Sequence, residues 1–380
     1  MIIHIKYYFL AIPVVLLCLG SAFADTSQVR DVSKEVASGD TAPESSSSPG
    51  EPPLGPKIRV AMYDVPSVQN ISMIAAAKMG FYEAQGLPPV EFIWRDEEHT
   101  AFELLCSGKA EFAVAWMAEG IVARSEGQDI IAISRCNQFP SLAFFVWSGK
   151  NPSIKKIEDL EGRKVGYNFR AELTGKALPH ALGVHTEEYA IRSDSTLALT
   201  SGGLDCIALP AYRFDALQKY LRIRNQFTVF QAKDYAYNFP ENMMFCRRDF
   251  LRAHPDACRQ FVTASFLGAR YAIEHRKEAI GHLCEYFKEG KVHDDEFILE
   301  QQAQKWLESL ELKAKPTENG LCLERNYNAL LEAMIDAELV DKEKAPSYSD
   351  CFCSPYSVLS EPESSLSAPV SDDLPEGSEK

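Results

Sequence analysis

The stretch "GKAEFAVAWMAEG" spans residues 108–120. Gly108 and Lys109 read as a turn. Phe112, Ala113, Val114 and Ala115 then run without a polar break, which is the composition of a strand buried on both faces. The run ends in Trp116, with Glu119 on the following turn. An indole offers a flat apolar face and one N–H donor, and a carboxylate accepts from an amino group or amidine. The pair therefore reads as the wall of a cleft placed where a buried strand ends.

The flanking sequence carries the same rhythm in both directions. "IRVAMY" (58–63) and "VEFIW" (90–94) are strands; "DIIAIS" (129–134) and "LAFFVW" (142–147) follow. Between the first two, Ile71, Ile74, Ala75 and Met79 recur at helical spacing, with Gly80 as C-cap. "EHTAFELLCSG" is a helix with Ala101, Phe102, Leu105 and Cys106 on one face. Alternating strands and helices predict a mostly parallel sheet flanked by helices. The pattern restarts at "IEDLEGRKVGYN" (157–168) and continues through "GGLDCIAL" (202–209), "QFTVF" (226–230) and "ENMMFCRR" (241–248). Beyond that the chain reads as helical. The fold class is α/β, with one kind of unit built twice.

The ends differ from this body. Residues 1–24 carry Lys6, an apolar run from Tyr7 to Leu19 and the small residues Ala22 and Ala24 before Asp25. That is a secretory signal peptide cleaved after Ala24, and it implies a periplasmic location. Leu17 before Cys18 argues against a lipobox. Residues 25–56 are a Ser/Pro/Gly-rich linker, and residues 357–380 an acidic tail punctuated by proline; both are expected to be disordered. The net charge of −15 excludes a nucleic-acid surface. Nine cysteines remain after the leader, an odd number with no assignable pairing. The pair Cys351 and Cys353 reads as small apolar side chains or one arm of a disulfide, and no residue cluster has metal-ligand spacing.

Five segments in order then carry a family likeness. Lys78, Gly80, Phe81, Tyr82, Gly86 and Leu87 in "KMGFYEAQGL" match one motif. "LLCSGKAEFAV" (104–114) matches another, with Glu111 where Asp is usual. "IEDLEGRKVGY" (157–167), "SGGLDCIAL" (201–209) and "FLRAHPDACRQFVTA" (250–264) complete the set. Together they resemble the periplasmic solute-binding proteins of the sulfonate/nitrate/taurine and thiamine-pyrimidine class of ABC importers. The resemblance implies a two-lobed type II binding-protein fold. Lobe 1 would be 57–147 plus 246–356 and lobe 2 would be 148–245, with hinges near Ser148–Pro152 and Pro240–Cys246. It implies hinge closure on a small organic ligand, a permease in the inner membrane as partner, and a monomer.

In such a fold ligands meet the carboxyl ends of the strands and the helix N-termini that follow. The residues at those places are Tyr63, Asp64, Gln69, Asn70, Trp116, Glu119, Asn137, Asn168, Arg170, Thr174, Tyr212 and Tyr237. Arg170 suits a carboxylate or phosphate clamp. The aromatics suit a planar ligand. Two other readings stay open: a sensing module for a membrane receptor, and an enzyme resembling the thiamine-pyrimidine synthases. Those synthases attach pyridoxal phosphate to a Lys and use a His four residues later. The matching positions here are Ala115 and Glu119, so the imine-forming amine is missing, no cofactor is expected, and no catalytic residue is assigned.

Overall fold

Among the described residues ten strands form two sheets with the same plan. The computed structural model describes residues 53–356, apart from 64–65, 96–98, 138–139, 169–171, 192–195, 214–225, 236–240, 290–295 and 311–321. The leader, the acidic tail and most of the linker lie outside the described residues. The first sheet contains β1 (Ile58–Met62), β2 (Val90–Trp94), β3 (Phe112–Trp116), β4 (Ile130–Arg135) and β10 (Asn242–Arg247), in the order β2-β1-β3-β10-β4. The second contains β5 (Leu142–Trp147), β6 (Lys164–Asn168), β7 (Glu187–Ile191), β8 (Cys206–Pro210) and β9 (Phe227–Gln231), in the order β7-β6-β8-β5-β9. Each sheet is parallel except for its fourth member. β10 runs antiparallel to β3 and β4, and β5 runs antiparallel to β8 and β9.

These two exceptions are the crossings of the chain, and they correct the expected lobe boundary. Residues 142–147, assigned to lobe 1 from the sequence, belong to the second sheet: Leu142 lies opposite Pro210 and Trp147 opposite Phe227. The first crossing therefore falls between Arg135 and Leu142. Ser148–Pro152, the expected hinge, instead begins with a turn in which the Lys150 and Asn151 amides donate to the Trp147 carbonyl. The return crossing precedes β10, so Asn242–Phe245, assigned to lobe 2 from the sequence, belong to the first sheet. Both swapped segments are continuous apolar runs, so composition alone could not say which sheet each would join.

The helices cover the sheets and set the strand ends. Those used below are α1 (Ile71–Lys78), α2 (Ala101–Cys106), α3 (Met117–Ser125), α4 (Glu172–Ala181), α5 (Pro255–Glu274), α6 (Arg276–Glu289), α7 (Glu296–Ser309) and α8 (Glu324–Asp336). At the start of α2, Thr100 accepts from the Glu103 amide while Glu103 accepts from the Thr100 amide, a reciprocal cap. Its buried residues are Ala101, Leu104 and Leu105, so the inward face is turned slightly from the one read in the sequence. α1 ends as expected: Gly80 takes the left-handed conformation at φ 69°. Gly268 of α5 lies against α1. A Cβ there would sit 2.2 Å from the Ser72 carbonyl oxygen and 2.6 Å from Ala76 Cβ. Only glycine allows that backbone approach, which holds α1 and the Val68–Asn70 turn before it against the sheet.

The helical return does not belong to lobe 1 alone, as was expected. α5 and α6 pack on α1, but α8 packs on α4 of lobe 2 and also meets α3 of lobe 1. A single apolar cluster runs through Trp116 and Phe245 of the first lobe, Phe144 and Tyr167 of the second, and Tyr327 and Met334 of α8. β7, which the sequence did not reveal, is an exposed edge strand led by Glu187 and Glu188; charge at an edge discourages pairing with another chain. Among the described residues no helix is long and apolar enough to cross a membrane.

Candidate functional site

Each lobe repeats a small device that fixes where its central strand begins. In lobe 1 the Glu111 carboxylate accepts from the Arg59 amide at 2.7 Å and from its guanidinium at 2.6 Å. The Glu111 amide donates back to the Arg59 carbonyl. In lobe 2 the Asp205 carboxylate accepts from the Lys164 amide at 3.0 Å, and the Asp205 amide donates to the Lys164 carbonyl. The acidic residues of two family motifs are therefore strand pins at the amino ends of β3 and β8. The carboxyl ends are left for the site.

Those ends meet at the crossings, where the two antiparallel strands are clasped by their leading residues. Glu241 precedes β10 and is fully buried. Its carboxylate accepts from the Ser141 hydroxyl at 2.6 Å, the Ser141 amide at 2.7 Å and the Leu142 amide at 2.9 Å. Burial pushes the carboxyl up to about 7, while the Ser141 hydroxyl and the two amides pull it down. The chain of donors continues into lobe 1. Gln69 Nε2 donates to Ser141 Oγ at 3.3 Å, and the Tyr63 hydroxyl donates to Gln69 Oε1. A directed run from Tyr63 through Gln69 and Ser141 to Glu241 thus spans the crossing.

Beside this clasp, three polar side chains stand across adjacent strands. Asn242 opens β10 opposite Trp116, the last residue of β3, and Met243 lies opposite Arg135, the last residue of β4. Trp116 is 3 % and Asn242 2 % exposed, yet Trp116 Nε1 and Asn242 Oδ1 have no hydrogen-bond partner among the described residues. A buried polar atom left in this state costs about 1–3 kcal/mol. The indole is buried at the strand end. It packs at a tilt on Tyr63, ring centroids 5.9 Å apart, because the crossing lies over the strand end. Arg135 is half-buried, and burial lowers its pKa.

A cavity of about 30 Å³ adjoins these residues, and its polar lining includes Gln69, Asn70, Ser72, Ser134, Asn242 and Ser265, with Arg135 at its edge-strand side. It has room for about one or two waters.

The structure gathers some of the expected site residues and disperses others. Tyr63, Gln69, Asn70, Trp116 and Asn137 surround the crossing. Asn137 Oδ1 accepts from the Asn242 amide at 3.1 Å, while Asn70 Oδ1 serves its own turn by accepting from Ser67. Glu119 lies in the first turn of α3. Thr174 is buried in α4. Tyr212 is a packing residue, edge-on to Trp306 of α7 at 5.9 Å, and this joins lobe 2 to the helical cluster rather than walling a cleft. Asn168 ends β6; its side chain, like Asp64, Arg170 and Tyr237, lies outside the described residues. Sequence reading missed Ser141, Glu241, Asn242 and Arg135. Glu241 precedes and Asn242 opens a mainly apolar strand with no periodic signal, and nothing local marks them.

Among the described residues no cluster of His, Cys, Asp or Glu could hold a metal. Cys351 is buried beneath the Tyr327 hydroxyl at 3.3 Å, and Cys353 extends the chain alongside β4, its amide donating to the Ala132 carbonyl.

The geometry agrees with what the chain is similar to. The family described as NMT1/THI5 like matches residues 67–279, more than half of the chain. The riboflavin-binding protein RibY of Chloroflexus aurantiacus is 23 % identical over 259 residues, covering 67 % of this chain and 73 % of that protein. In shape, the periplasmic aliphatic sulphonate-binding protein SsuA of Escherichia coli aligns with a TM-score of 0.60 at 12 % identity, covering 86 % of this chain and 99 % of that one. The ligand-binding component of an ABC-type import system from Staphylococcus aureus, solved with zinc bound, aligns with a TM-score of 0.57 at 14 % identity, covering 79 % and 98 %. These neighbours are substrate-binding proteins rather than enzymes. The chain belongs to the NMT1/THI5-like family and has the two-lobed α/β fold of ABC-import solute-binding proteins.

Proposed function

We propose that the protein is exported and captures a small organic molecule between its lobes, delivering it to an inner-membrane ABC permease. The observation that carries this reading is the meeting of strand carboxyl ends at two clasped crossings, with polar atoms left unpartnered beside them. A molecule seated there would satisfy those atoms and hold the lobes closed. The riboflavin-binding relative and the aromatic Tyr63–Trp116 pair favour a ring-bearing nitrogen compound, a flavin or a thiamine pyrimidine. The sulphonate-binding neighbour supports a second reading, a taurine-like or alkanesulfonate ligand. No cofactor is part of this function. The positions that match the synthase Lys and His are Ala115, buried in β3, and Glu119.

The test is thermal unfolding of the full chain lacking its leader, with riboflavin, hydroxymethylpyrimidine, taurine, an alkanesulfonate and nitrate. A true ligand at 100 times its dissociation constant adds about 2.7 kcal/mol of stability. A raised midpoint with one class identifies the ligand. No shift with any of them removes support for solute capture and favours a receptor-docking module.

A further inference from the structure

The residues that face each other across the ends of β3 and β10 have counterparts at the same ladder position in lobe 2. In the first sheet the guest strand β10 opens with Asn242, opposite Trp116 at the end of β3. In the second sheet the guest strand β5 opens with Leu142, opposite Pro210 at the end of β8. Leu142 and Pro210 bring no polar side-chain atom to the strand ends. The same pairing is thus apolar in one lobe and polar in the other, so the polar version is not a demand of the architecture.

In lobe 1 both polar atoms are out of water and neither serves the other. Trp116 Nε1 is a donor without an acceptor, and Asn242 Oδ1 an acceptor without a donor, among the described residues. Opposed residues of an antiparallel ladder project to one face, with Cα atoms about 5 Å apart, so the two side chains are neighbours. The backbone beneath them is held on both sides. The Asn242 amide donates to Asn137 Oδ1 at 3.1 Å, and its carbonyl accepts from the Cys136 amide at 2.7 Å. The Met117 amide, next to Trp116, donates to the Glu241 carbonyl at 2.7 Å. A donor and an acceptor on a fixed base meet the condition for reading a ligand's hydrogen-bonding pattern. The Tyr63 ring, tilted on the indole with centroids 5.9 Å apart, adds an apolar wall beside them.

We propose that Trp116 and Asn242 read the edge of a planar ligand on which a hydrogen-bond acceptor and an N–H donor are neighbours, as in a lactam, an imide or an amino-substituted ring nitrogen. Trp116 Nε1 donates to the acceptor, a carbonyl oxygen or ring nitrogen, and Asn242 Oδ1 accepts the N–H. This rests on the solute-binding reading above and narrows it to an uncharged edge. A molecule of the same shape whose N–H is blocked leaves Oδ1 buried and unpaired, and is rejected for that reason. An alkanesulfonate offers acceptors only, which satisfies the indole and not Asn242.

The experiment is isothermal titration of the full chain lacking its leader with two matched pairs and one further probe. The pairs are riboflavin and its imide-N-methyl derivative, and hydroxymethylpyrimidine with and without its ring amino group; the further probe is an alkanesulfonate. Wild type, Asn242→Leu and Trp116→Phe are compared, with circular dichroism to show that each is folded. The expected result is that the donor-bearing member of one pair binds about ten-fold or more tightly than its blocked partner, the equivalent of one hydrogen bond lost with a group left buried and unpaired. Asn242→Leu should then bring the two members to within about three-fold of each other, because the acceptor that told them apart is gone. Trp116→Phe keeps an aromatic ring and should weaken both members about ten-fold while preserving the preference. Equal binding of both members in wild type, a preference unchanged in Asn242→Leu, or binding of the alkanesulfonate alone overturns the edge recognition and leaves solute capture standing. Absence of binding by every probe in wild type overturns solute capture, and the edge recognition with it.

Discussion

The two lobes are the same design finished differently. Both place their first strand between the second and third, and both receive a guest strand from the other half in fourth position. Both pin the amino end of the third strand with an acidic side chain, Glu111 or Asp205. At the carboxyl ends they part. Lobe 2 closes with Pro210, Leu142 and Gln231, and lobe 1 with Trp116, Asn242 and Arg135. Shared features are those any such sheet needs to form; differing features lie where the lobes meet. The difference teaches that stability of the architecture and the polarity of the site are written at opposite ends of the same strands.

The clasp between lobes offers the strongest way to break this symmetry. Replacing Glu241 by Leu would leave the Ser141 hydroxyl and amide and the Leu142 amide buried without an acceptor. The expected loss is about 3–5 kcal/mol, visible as a lowered urea midpoint. Unchanged stability would show that the crossings are held by packing alone.

Glu241 also predicts a pH dependence. Its carboxyl lies near 7 when folded, against a usual 4.5. A raised value favours the protonated form in the folded state. Its contribution is therefore full below pH 4.5 and is lost as pH rises to 7. Stability should fall by up to about 3 kcal/mol across that window from this group, and Glu241→Gln should flatten the fall. An identical pH profile in the variant would refute the assignment.

The two pins sharpen the comparison at smaller magnitude. Glu111→Ala removes a backbone bond and a guanidinium pair whose side chains are 17 % and 39 % exposed. After allowance for solvent it should cost about 1–2 kcal/mol, and Asp205→Ala, which loses one backbone bond, about 0.5–1 kcal/mol. Equal losses in thermal unfolding would contradict the stronger pinning of lobe 1. The smallest effect is expected at the first residue of β10. Asn242→Leu gives lobe 1 the residue found in lobe 2 and removes an unsatisfied acceptor, so stability should be unchanged or rise by up to about 1 kcal/mol. A marked loss would mean that Oδ1 is satisfied in solution without ligand.

Much of the fold was legible because its signals are local. Gly80 ends α1 where the apolar spacing stops, and "EFAVAW" announces a strand buried on both faces by composition alone. β7 escaped because Glu187, Glu188 and Tyr189 have no buried face to impose alternation. The site was legible in part. Tyr63, Gln69, Asn70, Trp116 and Asn137 come together at the crossing because each stands close to the end of a readable strand or the start of a readable helix. Tyr212 stands at such a place too, yet it packs on Trp306, since an aromatic ring fits a core as readily as a cleft. Ser141, Glu241, Asn242 and Arg135 were missed because their roles depend on which strands become neighbours.

The sequence by itself determined the α/β class, the doubled unit, the strand that ends in Trp116 and the family motifs, all of which follow from periodicity and residue type within short windows. Tertiary structure alone decided that Leu142–Trp147 and Asn242–Arg247 would exchange lobes and that Glu241 would be buried against Ser141. Strand propensity is a local property, whereas sheet membership and the pairing of buried charge depend on residues a hundred positions away.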